Sequence, residues 1–217
     1  MVTPAPDPVV RGHAHEVRLD DTFDFLNTHE LEHGQPVDKL PTLDDALRWF
    51  VDRGVIHREG ADRVTAQAVD HPEAAVRDLT RVRAVRGALR EVADAIVEHR
   101  APRGGALDTV NRALHARQVI ELIPAPDGVH VDHRHVGDPI DDALARLADP
   151  LVTELTSGHP ERIRICANDR CQWVFYDTSR TARRRWCDMS TCGNRAKAAR
   201  HRARVKSTPE PGPRADA

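Results

Sequence analysis

The fold is decided by residues 166–206, which read CANDRCQWVFYDTSRTARRRWCDMSTCGNRAKAARHRARVK. This stretch holds every cysteine of the chain in the spacing C-x4-C-x15-C-x4-C: Cys166, Cys171, Cys187 and Cys192. Two short-spaced pairs joined by a longer loop can each present two thiolates to one ion, and zinc favours a tetrahedral sulfur cage. We therefore predict one Zn²⁺ per chain, with a structural role, because four protein sulfurs leave no open position for a substrate.

Two disulfides or four unconnected thiols are the alternatives to this metal site. Residues 1–18 contain no apolar core of the signal-peptide type, and nowhere is there an apolar run of about 18 residues that could span a membrane. We therefore expect a cytoplasmic protein without membrane contact. Thiols stay reduced in that compartment, where paired cysteines indicate a metal.

The segments between and after the cysteine pairs predict a hairpin followed by a helix. Residues 173–176 (WVFY) are typical of a strand, 177–181 of a turn, and 183–185 (RRR) of a basic return to the second pair. Residues 193–205 are rich in Ala, Arg and Lys and contain no proline, which indicates a helix. We predict a treble-clef-like zinc module, built from a β-hairpin and a helix, over residues 161–206.

The residues around the second pair resemble a known family. Residues 185–187 (RWC) and 192–197 (CGNRAK) are similar to the signature of the CGNR zinc finger, and residues 175–180 (FYDTSR) match its pattern after the first pair. Residues 24–28 (DFLNT) resemble the entry of the ABATE domain. Such fingers usually follow an ABATE domain in bacterial proteins described as stress-induced transcription regulators. The resemblance implies that role here and an ABATE-like domain over residues 19–158.

Charge is distributed unevenly along the chain. Residues 161–206 carry 13 Lys or Arg against 4 Asp or Glu, a formal +9, whereas residues 1–160 carry 18 against 28, a formal −10. Four thiolates and one Zn²⁺ would lower the charge of the zinc module to about +7. A positive module on an acidic body points to a polyanion as partner, which we expect to be duplex DNA, with RNA as the alternative.

The basic residues of the zinc module are the candidate nucleic-acid contacts. On a helix that begins at Gly193, Ala196, Ala199 and Ala203 share a face suited to packing on the zinc hairpin, and basic side chains cover the remainder. Such a helix is unfavourable in isolation but suits a surface that lies against phosphates. The candidates are Arg180, Arg183, Arg184, Arg195, Lys197, Arg200, Arg202 and Arg204.

Four further residues are expected to support the metal site. Phe175 and Trp186 should be buried beside the ion, because a small zinc module has little other material for a core; stacking on exposed bases is the alternative. Asp177 should pair with an arginine such as Arg180 or Arg185. Asn194 should hold the second cysteine pair, with contact to a base edge as the alternative.

The preceding residues predict a mainly helical domain with one small hairpin. Apolar residues at helical spacing indicate helices over residues 43–53, 59–69, 73–98, 107–116 and 139–155. A hairpin is predicted over residues 118–133, with Asp127-Gly128 at its turn and Val129 and Val131 facing inward. Residues 1–18 indicate a flexible leader and residues 207–217 a disordered tail. We place the domain boundary at residues 158–160 and expect each half to fold alone.

Three other patterns in this domain have competing interpretations. Residues 29–33 (HELEH) fit H-E-x-x-H, but Gly34 and Pro36 would end a helix there, so we predict a solvated loop or surface turn. Residues 130–135 (HVDHRH) could form a second metal cluster, although the outward face of a strand is favoured. The arginines of residues 73–98 predict a solvated face rather than a second nucleic-acid surface: Arg77, Arg81, Arg83, Arg86 and Arg90.

These patterns favour a non-enzymatic, zinc-dependent regulator whose N-terminal domain receives a signal or forms a homodimer contact. The chain has no phosphate-binding glycine loop and no nucleophile elbow. A small-molecule effector is expected in a pocket between residues 23–28 and 79–97. The alternatives are a small-molecule-binding or enzymatic N-terminal domain with a structural finger, and a finger that binds an acidic protein.

Overall fold

The computed structural model describes residues 16–32, 34–115, 118–126, 128–135 and 137–207, so that most of the predicted leader and tail lie outside it. In this part of the chain, seven α-helices alternate with three two-stranded antiparallel sheets. The helices are α1 (Leu19–Leu26), α2 (Leu43–Asp52), α3 (Arg58–Asp70), α4 (Pro72–Val97), α5 (Ala106–Leu114), α6 (Pro139–Ser157) and α7 (Asn194–Ser207). The strands are β1 (His29–Glu32), β2 (Gln35–Asp38), β3 (Gln118–Ala125), β4 (Gly128–His135), β5 (Ile163–Ile165) and β6 (Val174–Tyr176). The predicted fold class is confirmed.

Capping residues explain where several helices begin. Thr42 precedes α2, where its hydroxyl accepts from the backbone N–H of Asp45 at 3.2 Å and the Asp45 carboxylate accepts from the N–H of Thr42. Asp138 accepts from the N–H of Ile140 at 2.8 Å ahead of α6. Pro72 and Pro139 occupy the first helical positions of α4 and α6, where a missing N–H leaves no bond unmade. These local bonds are why the helix starts could be predicted.

The core forms where α1, α2, α4 and α6 meet. Phe25 and Phe50 are fully buried with ring centroids 6.0 Å apart, and Leu89 of α4 and Leu147 of α6 are fully buried as well. Each such side chain contributes about 1.5–3 kcal/mol through the removal of apolar surface from water. None of the described helices is long and apolar enough to cross a membrane.

The first hairpin replaces the surface turn predicted at residues 29–33. β1 pairs with β2 in a register that sets Glu32 opposite Gln35, and Gly34 lies at the turn with a φ of +86°. A metallopeptidase motif of this type binds its metal through two histidines on one face of a helix, whereas residues 29–32 form a strand. The turn prediction was wrong, whereas the rejection of the peptidase motif agrees with the strand.

The second predicted hairpin is present as β3 and β4, with two differences in detail. Ala125 pairs with Gly128, so Gly128 begins β4 and the turn falls one residue earlier than predicted. Val129 was expected to face inward, but its side chain is 67 % exposed. The side chains of residues 130–135 lie outside the described ones, so the predictions about their histidines stay predictions.

Two of the α4 arginines, Arg77 and Arg83, are exposed as on a solvated face, but the other three are partly or fully buried in ion pairs. Arg86 is buried and makes two bonds to the Asp38 carboxylate, at 2.7 and 2.8 Å, and a third to the Thr28 hydroxyl. Arg81 bridges to Asp138 and Asp141 of the α6 start, at 3.0 and 3.1 Å. Burial acts to raise the pKa of Asp38, but the bonds from Arg86, the N–H of Leu40 and the charge of Arg83 together outweigh burial and hold the pKa below its usual range. These pairs fix α4 against β2 and α6.

Strands β5 and β6 of the zinc module pack directly on the helical domain. Ile163 and Val174 are almost fully buried within the same apolar cluster as Phe25 and Leu89. Asn27, at the end of α1, donates its amide N–H to the carbonyl of Val174 and accepts the N–H of Val174, both at 2.9 Å. Because the zinc module and the helical domain share a core, we no longer expect each half to fold alone.

Candidate metal centre and basic surface

The four cysteines come together at one point of the zinc module. Their sulfur atoms all lie within 4.8 Å of one another. The sulfur of Cys187 is 3.7 Å from that of Cys171 and 3.8 Å from that of Cys192. A tetrahedron with Zn–S bonds of about 2.3 Å has its sulfurs about 3.8 Å apart, whereas a disulfide joins sulfurs at about 2.05 Å. The cluster thus fits one structural zinc ion and not a pair of disulfides, as predicted.

The first cysteine pair sits on a turn that closes the β5–β6 hairpin. The N–H of Cys166 donates to the carbonyl of Trp173 at 2.8 Å, and the N–H of Cys171 donates to the carbonyl of Asn168 at 2.8 Å. Gln172 leaves the turn with a φ of +56°, a conformation that a non-glycine residue rarely adopts. Both thiols of the pair are therefore held on one side of the turn by backbone hydrogen bonds.

The second cysteine pair is held by Asp188. Its carboxylate accepts from the backbone N–H of Thr191 at 2.7 Å and from the hydroxyls of Ser190 and Thr191. A single wide turn, Met189–Gly193, then leads into α7. The start of α7 is consequently tied to the metal ligand Cys192.

The four thiols could ionise together only with a cation between them. Burial raises the pKa of the Cys171 thiol to about 11, and burial with the neighbouring thiols also raises the pKa of Cys187. Burial acts to raise the pKa of Cys192 too, but its bond from the Asn168 side chain, 3.3 Å away, helps to lower it. Four thiolates in this volume repel one another, and a bound Zn²⁺ removes that penalty.

The supporting aromatic residues lie where the sequence indicated. Phe175 is buried and Trp186 half-buried, and both pack on the cysteine cluster. Asp177 is fully buried, but it does not pair with Arg180 or Arg185 as predicted. Its carboxylate instead accepts two backbone N–H groups, from Ser179 at 2.9 Å and Arg184 at 2.7 Å. Asp177 therefore shapes the loop through the main chain.

Helix α7 is exposed along nearly its whole described length. Ala196 is half-buried, but residues 197–204 are all exposed, including Ala199 and Ala203. The small-residue face was expected to pack on the zinc hairpin and does so only at Ala196, because the helix leaves the module after its first turn. The basic side chains predicted on α7 are all exposed: Arg195, Lys197, Arg200, Arg202 and Arg204.

Of the three loop arginines, two are exposed and one is a structural residue. Arg180 and Arg183 are exposed. Arg184 is half-buried: its guanidinium lies 5.0 Å from the Phe175 ring centre and donates to the carbonyls of Trp186 and Cys187. We therefore reassign Arg184 from nucleic-acid contact to support of the second cysteine pair.

Asn194 takes a structural role at the start of α7. Its side-chain N–H donates to the carbonyl of Ser190 at 2.9 Å, across the turn that carries Cys192. Asn168 and Asp188 act similarly but were not identified from the sequence. The role of Asp188 could have been predicted from the sequence, because an Asp side chain often accepts a hydrogen bond from the backbone two residues later in a turn. Asn168 contacts a sulfur 24 positions away, which no local pattern predicts.

A cleft in the helical domain lies where a pocket was expected. It has a volume of about 340 Å³ and is bounded by α4 on one side and by the end of α1 and the first hairpin on the other. The lining residues are Leu26, His29, Asp38, Arg83, Arg86, Gly87 and Arg90.

Comparisons with known proteins agree with this geometry. Residues 162–205 match the family model of the CGNR zinc finger, which is the segment that contains the four cysteines and most of α7. Residues 22–158 match the family model described as "Putative stress-induced transcription regulator", the ABATE domain. No curated protein matches the chain.

Proposed function

Because the chain belongs to the ABATE family of stress-induced transcription regulators and carries a CGNR zinc finger, we propose that it is a zinc-dependent nucleic-acid-binding protein. It regulates transcription in a bacterium, contacts duplex DNA through the zinc module, and works in the cytoplasm without catalytic activity. The helical domain receives a signal or forms a homodimer contact.

The observation that carries this proposal is the exposure of α7. Five basic side chains surround a helix whose start is tied to the metal centre, and almost nothing in the described chain covers it. An α-helix is about 10–12 Å across with its side chains, and the major groove of DNA is about 12 Å wide. Phosphates on both sides of such a groove would neutralise charges that otherwise repel one another along α7.

The test is titration of duplex DNA with zinc-loaded protein at two salt concentrations. We expect the triple change Lys197→Gln, Arg200→Gln and Arg204→Gln to weaken binding to all sequences alike. The slope of log affinity against log salt should fall by about 0.9 for each phosphate that the variant no longer neutralises.

A matched control removes three charges elsewhere. Arg58, Arg63 and Arg112 are exposed residues of the helical domain, and their replacement by glutamine changes the net charge equally. Arg81 and Arg86 are unsuitable, because their ion pairs hold the fold. Equal loss of affinity in both triple variants, or no DNA binding by the wild type at low salt, would contradict the proposal. Binding of RNA but not DNA would redirect it to RNA.

A further inference from the structure

The cleft beside α4 contains a glycine that the protein fold does not require. Gly87 lies in the middle of a 26-residue helix, where glycine costs about 1 kcal/mol relative to alanine in an exposed position. A Cβ atom added at Gly87 would meet nothing within 4 Å, so no neighbouring element needs the space. Gly87 does line the cleft. A ligand that approaches the helix backbone there would account for the open position.

Positive side chains flank this open position along one face of α4. Arg83, Gly87 and Arg90 are at steps of four and three, which places them in one row. Arg86 lines the same cleft from the adjoining face. The row therefore has a guanidinium on each side of a notch without a side chain.

The charges around the cleft leave an excess of one positive charge. Asp38 accepts from Arg86 and lies 3.2 Å from Arg83, and Asp94 lies 2.8 Å from Arg90. Three guanidinium groups thus meet two carboxylates. A planar guanidinium suits a carboxylate or phosphate through paired hydrogen bonds. Leu26 borders the opposite wall, but its side chain is almost fully buried in the core and offers the cleft little apolar surface.

We propose that this cleft binds a small anion with one carboxylate or phosphate group. The oxyanion lies over Gly87, between Arg83 and Arg90. A volume of about 340 Å³ is near the lower end of small-molecule sites, which limits the ligand to a small compound. This binding is independent of nucleic-acid contact by the zinc module; only its interpretation as a regulatory signal rests on the proposed function.

The test uses the full-length, zinc-loaded protein with benzoate and inorganic phosphate as probes, at constant ionic strength maintained with chloride. Backbone amide chemical shifts should change saturably at Gly87 and at residues 26–29. Residue-resolved detection is needed because α7 attracts any anion. Changes confined to α7, or none that saturate at the cleft for either probe, would overturn the proposal.

Two substitutions at one position separate occupancy of the cleft from damage to the fold. Gly87→Leu places a side chain in the cleft and should reduce probe affinity by about tenfold or more, whereas Gly87→Ala adds only a Cβ atom and should reduce it less. Both variants should unfold at or above the wild-type temperature, because each replaces a helical glycine. Unchanged binding by a folded Gly87→Leu variant would contradict the site.

Arg90→Gln tests the charge requirement. It removes one guanidinium of the row and should lower benzoate affinity by about five- to tenfold, as expected when a charge-assisted bond is removed. Arg112→Gln, an exposed residue of α5, is the control and should leave affinity unchanged. An equal effect of the two changes would show that only the general charge of the domain matters, and the proposal would fail.

Discussion

At the scale of single residues, Asp177 shows how a buried carboxylate can be stabilised mainly by hydrogen bonds, with the charge of Arg164 contributing less. Burial acts to raise the pKa of its carboxyl, but hydrogen bonds from Ser179 and from the N–H of Arg184 outweigh burial and hold it below the usual range. A carboxyl whose pKa is lower in the folded than in the unfolded chain stabilises the fold at any pH above the unfolded pKa. This stabilisation is lost as the pH falls through the pKa of the folded state. The zinc module should therefore weaken in acid for this reason as well as through protonation of its thiols.

We predict that Asp177→Asn destabilises the zinc module by about 1–3 kcal/mol. The amide keeps the shape of the carboxyl but turns an N–H toward one of the two backbone donors, which then has no acceptor. Zinc retention against a chelator at neutral pH measures the effect. Asp169→Asn, an exposed change of the same charge in the first turn, is the control and should retain zinc normally. Equal retention by both variants would disprove the role of Asp177.

Asn27 holds the helical domain and the zinc module together with two buried hydrogen bonds. We predict that Asn27→Asp lowers the stability of the whole chain by about 1–3 kcal/mol, since a carboxylate cannot donate to the carbonyl of Val174. Denaturant unfolding measures the change. Asn111→Asp, an exposed change of the same type in α5, should have little effect. A normal unfolding midpoint for Asn27→Asp would contradict the importance of these two bonds.

At the scale of elements, local chemistry decided what could be predicted from the sequence. The start of α2 followed from Thr42 and its neighbours, and the cysteine spacing identified the metal ligands. The first hairpin was missed, because a four-residue strand with one apolar residue lacks the usual alternation. The burial of Arg86 was missed because Asp38 lies 48 positions away. Pairings across such distances arise from packing, which periodicity does not encode.

Helix α7 should be only marginally stable by itself. It has 14 residues, lacks a packed face beyond its first turn, and places like charges four positions apart at Arg200 and Arg204. We predict fast amide hydrogen exchange over residues 199–204 in the free protein and slowed exchange when duplex DNA is bound. The amides of α4 serve as the internal reference. Equal protection of α7 and α4 in the free protein would contradict this prediction.

At the scale of the whole molecule, the zinc site stabilises more than the module that contains it. Ile163 and Val174 belong to the core of the helical domain, and their strands are positioned by the turn that carries Cys166 and Cys171. The ion therefore contributes to packing around α1 and α4. The family boundaries divide the chain at residues 158–162, but the apolar core continues across that division.

We predict that loss of zinc destabilises the whole chain, not residues 161–206 alone. Exposure of Ile163 and Val174 would cost about 3–6 kcal/mol, which corresponds to a fall of about 6–24 °C in the unfolding midpoint. Calorimetry of Cys187→Ser measures this, with Ser157→Ala, an exposed residue at the end of α6, as the control. A helical domain that unfolds at its normal temperature in the Cys187→Ser protein would contradict the shared core.

The pairing of Asn27 with Val174 also sets an order of events during synthesis. The two residues are 147 positions apart, so a ribosome working at about 5–20 residues per second makes Val174 roughly 7–30 s after Asn27. Until then the Asn27 side chain lacks its two bonds to Val174 and the helices surround an incomplete core. The nascent helical domain should consequently need protection from aggregation for those seconds, and cellular zinc supply should limit how much of the chain reaches its mature form.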